Sequence, residues 1–133
     1  MNDIELTELD ATPPAVVHTT ARDFAVALAE TPQFKTFEQA NEALNNDVSA
    51  LQALSAYQAK VKSLRALLML NAVSEVDQAE LERLKNAYVT RSTVQAYAVA
   101  EAELTSLCQQ AAELISEAIG LNYAAACGAS CCG

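Results

Sequence analysis

The sequence predicts an all-α fold, and three observations support that prediction. The chain of 133 residues is rich in alanine and leucine and has only three glycines and three prolines. Its apolar residues recur at alternating steps of three and four, the period of a helix packed along one side. Alternation of apolar and polar residues, which indicates a strand, does not persist beyond a few positions. We therefore expect a helical bundle of two long antiparallel helices, at about 48–71 and 93–119, with shorter helices packed against them.

The second long helix has the clearest boundaries. Ser92 followed by Gln95 predicts a capping box, in which the two side chains satisfy exposed backbone amides at the start of the helix. Gly120 predicts a left-handed residue that ends it. The apolar stripe of this helix faces either the other helices or another chain, and it consists of Tyr97, Ala100, Leu104, Leu107, Ala111, Leu114 and Ala118.

The chain divides into three parts. Residues 1–12 are acidic and polar and predict a disordered leader. Residues 13–122 predict one helical domain, and residues 123–133 a flexible tail that contains cysteines. The first helix is expected at about 15–30, ended by Pro32. Its apolar face consists of Val17, Ala21, Phe24 and Leu28.

Short polar residues mark the remaining helix starts and breaks. Each of these signals is a side chain that competes for, or satisfies, nearby backbone amides. In chain order they are a capping box at Thr36 and Gln39, a break and cap at Asn45–Asp47, a start at Ser74 with Asp77, and a kink near Thr90.

Charge and hydropathy exclude several classes of protein. The formal net charge is −9, which repels phosphate backbones and argues against direct nucleic-acid binding. The most apolar run, 64–73, is too short to span a bilayer, so we expect no membrane insertion. The first ten residues lack the basic start and apolar core of a signal peptide. We therefore expect a cytoplasmic protein.

A catalytic constellation is not evident. His18 is the single histidine and is expected to be an ordinary helix residue. All three glycines follow residue 119, so a glycine-rich phosphate loop is excluded. We expect no enzymatic activity.

The cysteines are the residues most suited to chemistry. Cys108 lies beside the apolar stripe and predicts a small buried thiol. Cys127, Cys131 and Cys132 place three thiols among small residues, a composition that suits soft metals and iron–sulfur clusters. Because a closed zinc or cubane site needs four ligands, a complete site would require a second copy or another protein. The alternatives are zinc and a tail that binds no metal.

Two segments resemble the YlbF/YmcA (Com_YlbF) family of bacterial regulators. The order and spacing of their apolar and acidic residues carry the resemblance, together with the terminal cysteines. The first segment has Phe34, Phe37, Ala40, Leu44 and Asp47, and the second has Val94, Tyr97, Ala100, Glu101, Glu103, Leu104 and Leu107.

The resemblance implies a small helical protein that self-associates or assembles with related family proteins. Better-known members join a YaaT-like protein in a complex that assists the ribonuclease RNase Y in messenger RNA processing. Family members with cysteine-rich ends are associated with iron–sulfur clusters. Carried over by position, the candidate ligands of a 4Fe-4S cluster shared between chains are Cys127, Cys131 and Cys132.

These observations favour a non-enzymatic regulator that acts by helix-mediated assembly and binds a cluster at its C-terminus. A metal carrier or thiol-redox sensor built on a helical scaffold is the first alternative. A purely structural helical oligomer is the second.

Overall fold

The structure is a computed structural model that describes residues 13–127, so the predicted leader and Cys131 and Cys132 lie outside the described residues. Every regular element within 13–127 is a helix, as the sequence predicts. The helices, numbered in chain order, are α1 (Pro13–Ala29), α2 (Pro32–Asn45), α3 (Val48–Ser63), α4 (Arg65–Met69), α5 (Glu75–Val89), α6 (Ser92–Ile119) and α7 (Tyr123–Ala126).

Several predicted helix signals are confirmed. The Asp47 side chain caps α3 by accepting from the Ala50 amide, and the Ser74 side chain caps α5 by accepting from the Asp77 amide. Gly120 follows α6 with a φ of 70°, in the left-handed region where a residue without Cβ is not strained.

Two predicted capping boxes are wrong. Thr36 lies inside α2, because Thr31 caps that helix by accepting from the Phe34 amide and Pro32 occupies its first position. Proline is well suited there because it has no amide hydrogen to leave unsatisfied. Ser92 is the first residue of α6 rather than its cap, which is Arg91 without a side-chain capping bond.

The predicted helix at 48–71 is interrupted. α3 ends at Ser63, whose hydroxyl donates to the Lys60 carbonyl and so competes with the bonds that would continue the helix. The short helix α4 follows, and the chain then reverses near Asn71, which has a φ of 52°. Asparagine tolerates this left-handed conformation better than most residues.

The chain forms one long hairpin of helices with a break halfway along each arm. α2 and α3 make one arm, and α5 and α6 make the other. The two arms run antiparallel, so residues of increasing number on the first arm contact residues of decreasing number on the second. Phe37 packs on Tyr97, Asp47 bonds Thr93, and Lys60 pairs with Asp77.

The two long helices of the prediction therefore do not pack on each other. α3 packs mainly on α5, and α6 packs mainly on α2. The reason is topological, because α5 follows the reversal and covers α3 before α6 begins. The antiparallel arrangement is confirmed, but the predicted partners are wrong.

The core of this hairpin is thin. Within 13–127 the buried apolar residues are Leu44, Ala50, Leu64 and Ala100. Alanine at two of these four positions allows close approach of helix backbones. Phe37 and Tyr97 add a tilted aromatic pair with ring centroids 5.4 Å apart.

Candidate functional site

A network centred on Asp47 joins the two breaks of the hairpin. One carboxylate oxygen, Oδ1, accepts from the Ala50 amide at 3.0 Å and from Arg91 Nη2 at 3.1 Å. The other, Oδ2, accepts from Thr93 Oγ1 at 2.7 Å and from Arg91 Nε at 3.2 Å. The side chain of Asp47 is 15% exposed. A single carboxylate thus caps α3 and fixes the start of α6 against it.

These bonds all favour the ionised form of Asp47. The hydrogen bond from Thr93 lowers its pKa most, the Ala50 amide and Arg91 add to it, and the pKa falls from 3.8 to about 2. Every group around this carboxylate is a donor committed to holding it, so the network has the character of a structural brace. The sequence pattern identified Asp47 as a cap but missed Arg91 and Thr93, which lie more than forty positions away.

A second ion pair closes the hairpin near its turn. Lys60 Nζ lies 2.8 Å from Asp77 Oδ1, and the Ser74 hydroxyl donates to Asp77 Oδ2 at 2.9 Å. The hydrogen bond from Lys60 lowers the pKa of Asp77, with a smaller contribution from Ser74. The side chains of Lys60 and Asp77 are 27% and 30% exposed, so water and salt weaken this pair.

The described residues do not assemble a catalytic or metal site. A cleft between the start of α2 and the middle of α6 is open to solvent, and its lining includes Gln33, Thr36, Glu103 and Ser106 without a histidine or cysteine. No group of three or more histidine, cysteine or acidic side chains within 13–127 could hold a metal ion.

The cysteines are accessible. Cys108 is exposed, so the prediction of a buried thiol is wrong. One position after Leu107, a helical side chain has rotated by about 100° away from the packed stripe, and α2 does not cover that side. Cys127 is also exposed and lies immediately after α7. The structure therefore places Cys127 where it can reach other groups and does not test its predicted partners Cys131 and Cys132.

Exposed apolar side chains are the most extensive feature of the surface. They are concentrated in three segments, called patches here: the helix α1, the hairpin end around α4, and the last turns of α6 with the residues that follow. Single exposed apolar residues are ordinary, whereas several exposed apolar residues in one segment make that segment a candidate for contact with another protein. The patches comprise Val16, Val17, Phe24 and Val26; Leu67, Leu68, Met69 and Leu70; and Leu114, Ile115, Ile119 and Leu121.

The charge around these patches is uneven. α6 has four glutamates and no lysine or arginine, whereas α1 has one arginine and one aspartate. The basic side chains Lys60, Lys62 and Arg65 are concentrated near the hairpin end. No helix within 13–127 is long and apolar enough to cross a membrane.

Comparisons with known proteins place this architecture in context. The family model described as "Control of competence regulator ComK, YlbF/YmcA" matches residues 17–120, from α1 to the end of α6. The UPF0342 protein STH1710 of Symbiobacterium thermophilum is 27% identical over 103 residues, covering 77% of this chain and 92% of that protein. No solved structure matches the chain. The matched range ends before Cys127, so the match rests on the helices alone.

Proposed function

This chain belongs to the YlbF/YmcA family of competence regulators, and from that premise we propose that it is a non-enzymatic accessory factor for RNase Y-dependent messenger RNA processing. It acts by binding other proteins through its exposed helix faces. The observation that carries the proposal is the combination of a thin core with three exposed apolar patches. Its partners are related family proteins, a YaaT-like protein and an RNase Y-like ribonuclease, which place it in the cytoplasm.

The structure supports a contact role better than a chemical one. The one well-organised polar network, around Asp47, is used to hold helices together. The apolar patches, in contrast, remain in water, where their burial against a partner would be favourable. With a net charge of −9, the chain is expected to influence RNA through a protein partner rather than by direct binding.

Deletion and complementation test the proposal. Deleting the gene in the bacterium that encodes it should change the 5′ ends or half-lives of transcripts processed by RNase Y, and the wild-type chain should restore them. One charged substitution is made in each patch: Phe24→Glu, Leu68→Glu and Leu114→Glu. At least one of these variants should fail to restore transcript processing in the deletion strain. Val99→Glu is the matched control, because Val99 is exposed and lies on α6 outside the three patches. Unchanged transcripts in the deletion strain would contradict the proposal.

A cluster at the C-terminus is a second proposal, favoured by the exposed thiol of Cys127. The described residues alone do not fit such a group, because they offer this thiol and no neighbouring set of ligands. A 4Fe-4S cluster would therefore require Cys131 and Cys132 and a second chain as well.

Purification without oxygen separates the alternatives. Iron and sulfide in equal amounts, with visible absorbance lost in the variant carrying Cys127→Ser, Cys131→Ser and Cys132→Ser, would support the cluster. Zinc without iron would support a metal carrier or thiol sensor. Absence of both metals, together with the same native mass for the wild type and the triple serine variant, would support a structural oligomer with an inert tail. Cys108→Ser is the matched control, since Cys108 is an exposed thiol on α6.

A further inference from the structure

The hairpin end around α4 is an apolar protrusion with cations at its base. We propose that it is a peripheral membrane anchor: residues 65–72 enter one leaflet of an anionic phospholipid bilayer, while the helices of the hairpin remain in water. This inference goes beyond the proposed function, because it assigns one of the three apolar patches to a lipid surface rather than to a protein.

The protrusion is exposed on every side. Residues 65–72 are eight consecutive exposed positions that follow the buried Leu64. Met69 is 81% exposed and Leu70 is 75% exposed. A helix packed against the rest of the molecule would bury one face, whereas α4 has no buried residue. The hairpin end is therefore convex, a shape that suits entry into a deformable surface better than docking through one helix face.

The side chains of the protrusion are mainly aliphatic. Of residues 65–72, four are leucine or methionine, two are alanine and none is aromatic. Binding hot spots between proteins are enriched in tryptophan, tyrosine and arginine and poor in leucine, and of the enriched types the protrusion has only Arg65, at its base. Leucine is, in contrast, common on the apolar face of segments that lie in a membrane interface. The composition therefore favours a bilayer over a protein partner.

The backbone of the protrusion satisfies its own amides. Four amides donate to carbonyls of residues 64–68 at 2.8 to 3.2 Å, namely those of Leu68, Leu70, Asn71 and Ala72. The last two bonds form a Schellman motif, with Asn71 in its left-handed position at a φ of 52°. An amide without a partner is costly in hydrocarbon, so these bonds allow the turn to leave water.

Charge complementarity identifies an anionic surface as the occupant. Residues 48–74 contain three basic residues and no acidic one, in a chain whose net charge is −9. Lys60 is paired with Asp77, but Lys62 and Arg65 form no ion pair within 13–127 and line the same open groove. Both cations are therefore available to the phosphates of anionic lipids.

The remaining charges orient the molecule. Glu75, at the start of α5, offsets part of the positive charge, so binding depends on the apolar side chains as well as on the cations. α6 has four glutamates and no basic residue, and an anionic surface repels it. The chain should therefore approach the bilayer with the hairpin end first.

The length of the protrusion fits one leaflet. The five residues of α4 extend over about 7 Å, and apolar faces in a membrane interface are buried by about 5–10 Å. The run 64–73 is too short to span a bilayer, which was the basis for expecting no membrane insertion. Entry from one side does not require a span.

Vesicle binding of the full-length chain tests the anchor. The wild type should sediment with vesicles of phosphatidylglycerol and phosphatidylethanolamine and bind pure phosphatidylcholine about tenfold more weakly, because the cations lose their partners there. Met69→Glu or Leu70→Glu should weaken binding to the anionic vesicles by about tenfold or more, since a charge is costly to bury. Lys62→Gln combined with Arg65→Gln should remove the preference for anionic lipid.

Val99→Glu is the matched control, because it adds the same charge at an exposed position of α6 and should bind vesicles as the wild type does. A wild type that does not bind the anionic vesicles would overturn the inference. Binding that survives both Met69→Glu and Leu70→Glu would overturn it as well, since another surface would then be responsible.

A single tryptophan reports which surface enters the bilayer. The chain has no tryptophan, so Leu70→Trp introduces a unique fluorophore at the protrusion. Its emission should shift to the blue on addition of anionic vesicles and should be quenched by brominated lipid. Val99→Trp, on α6, should show neither change. Emission of Leu70→Trp that is unaffected when the chain sediments with vesicles would contradict insertion of the hairpin end.

Complementation separates a lipid from a protein as the occupant. If the wild type does not bind vesicles and Met69→Glu fails to restore transcript processing, the protrusion contacts a protein and the inference is overturned. If the protrusion binds vesicles while deletion of the gene leaves transcripts unchanged, the proposed function alone is refuted.

Discussion

The middle of the hairpin and its open end have the same sequence pattern and opposite structural outcomes. In the middle, α2 covers the first half of the α6 stripe and α5 covers α3, with Asp47 holding both breaks together. At the open end, α1 and the second half of α6 keep several apolar side chains exposed, although α7 contacts the last turns of α6. An apolar stripe therefore shows that a helix needs a partner, and its position in the fold decides whether the same chain supplies one.

The largest expected effect is in the braced middle. Leu44→Ala removes one of the few buried side chains and should cost about 3 kcal/mol of unfolding free energy, because a cavity remains where methyl groups were packed. Leu70→Ala, at a position that is 75% exposed, should cost less than about 0.5 kcal/mol. Urea unfolding at one protein concentration measures both, and equal losses would contradict the assignment of the core.

The next effect concerns the brace itself. Asp47→Ala removes the cap of α3 and leaves Arg91 and Thr93 without their shared acceptor, so the urea midpoint should fall measurably, though by less than in Leu44→Ala. Asp47→Asn keeps a capping oxygen and loses the charge, and it should lie between Asp47→Ala and wild type.

The brace also predicts an acid dependence. The folded pKa of Asp47, about 2, lies below its ordinary value of 3.8, so its contribution is present above 3.8 and is lost as pH falls toward 2. The difference in midpoint between wild type and Asp47→Asn should therefore shrink over that interval. A constant difference down to the lowest pH at which the protein folds would show that the charge does not stabilise the junction.

A smaller effect is expected at Gly120, the residue that ends α6. Gly120→Ala should cost about 1 kcal/mol because a Cβ is strained at a φ of 70°, even though nothing lies within 4 Å of the added carbon. Gly120→Asn should cost less, since asparagine tolerates this region better. Thermal denaturation at matched concentrations compares the three proteins.

The smallest effect is expected at the exposed pair on α5. Arg83 Nη2 lies 2.6 Å from Glu80 Oε1, but both side chains are in contact with water and one turn apart on one helix. Arg83→Ala should leave the urea midpoint unchanged within error, whereas Lys60→Ala, which removes the ion pair between α3 and α5, should lower it measurably. The reverse order would show that the Lys60–Asp77 pair does not stabilise the packing of α3 on α5.

The sequence by itself determined the all-α class and the helix signals that act within one turn. Asp47, Ser74 and Gly120 act on amides or carbonyls a few residues away, so local pattern is sufficient to locate them. The errors at Thr36 and Ser92 arose where a stronger neighbouring signal, Thr31 with Pro32 or the turn at Arg91, competed for the same helix start.

Only the tertiary structure decided which helices pair and which remain uncovered. The Asp47–Arg91 contact joins residues 44 positions apart, and spacing along the chain has no information about such a meeting. Exposure of Cys108 and of side chains at the end of α6 likewise depends on which part of α6 the helix α2 covers. Periodicity specifies that a face is apolar, because that is a property of one helix; what covers the face depends on the path of the whole chain and on its partners.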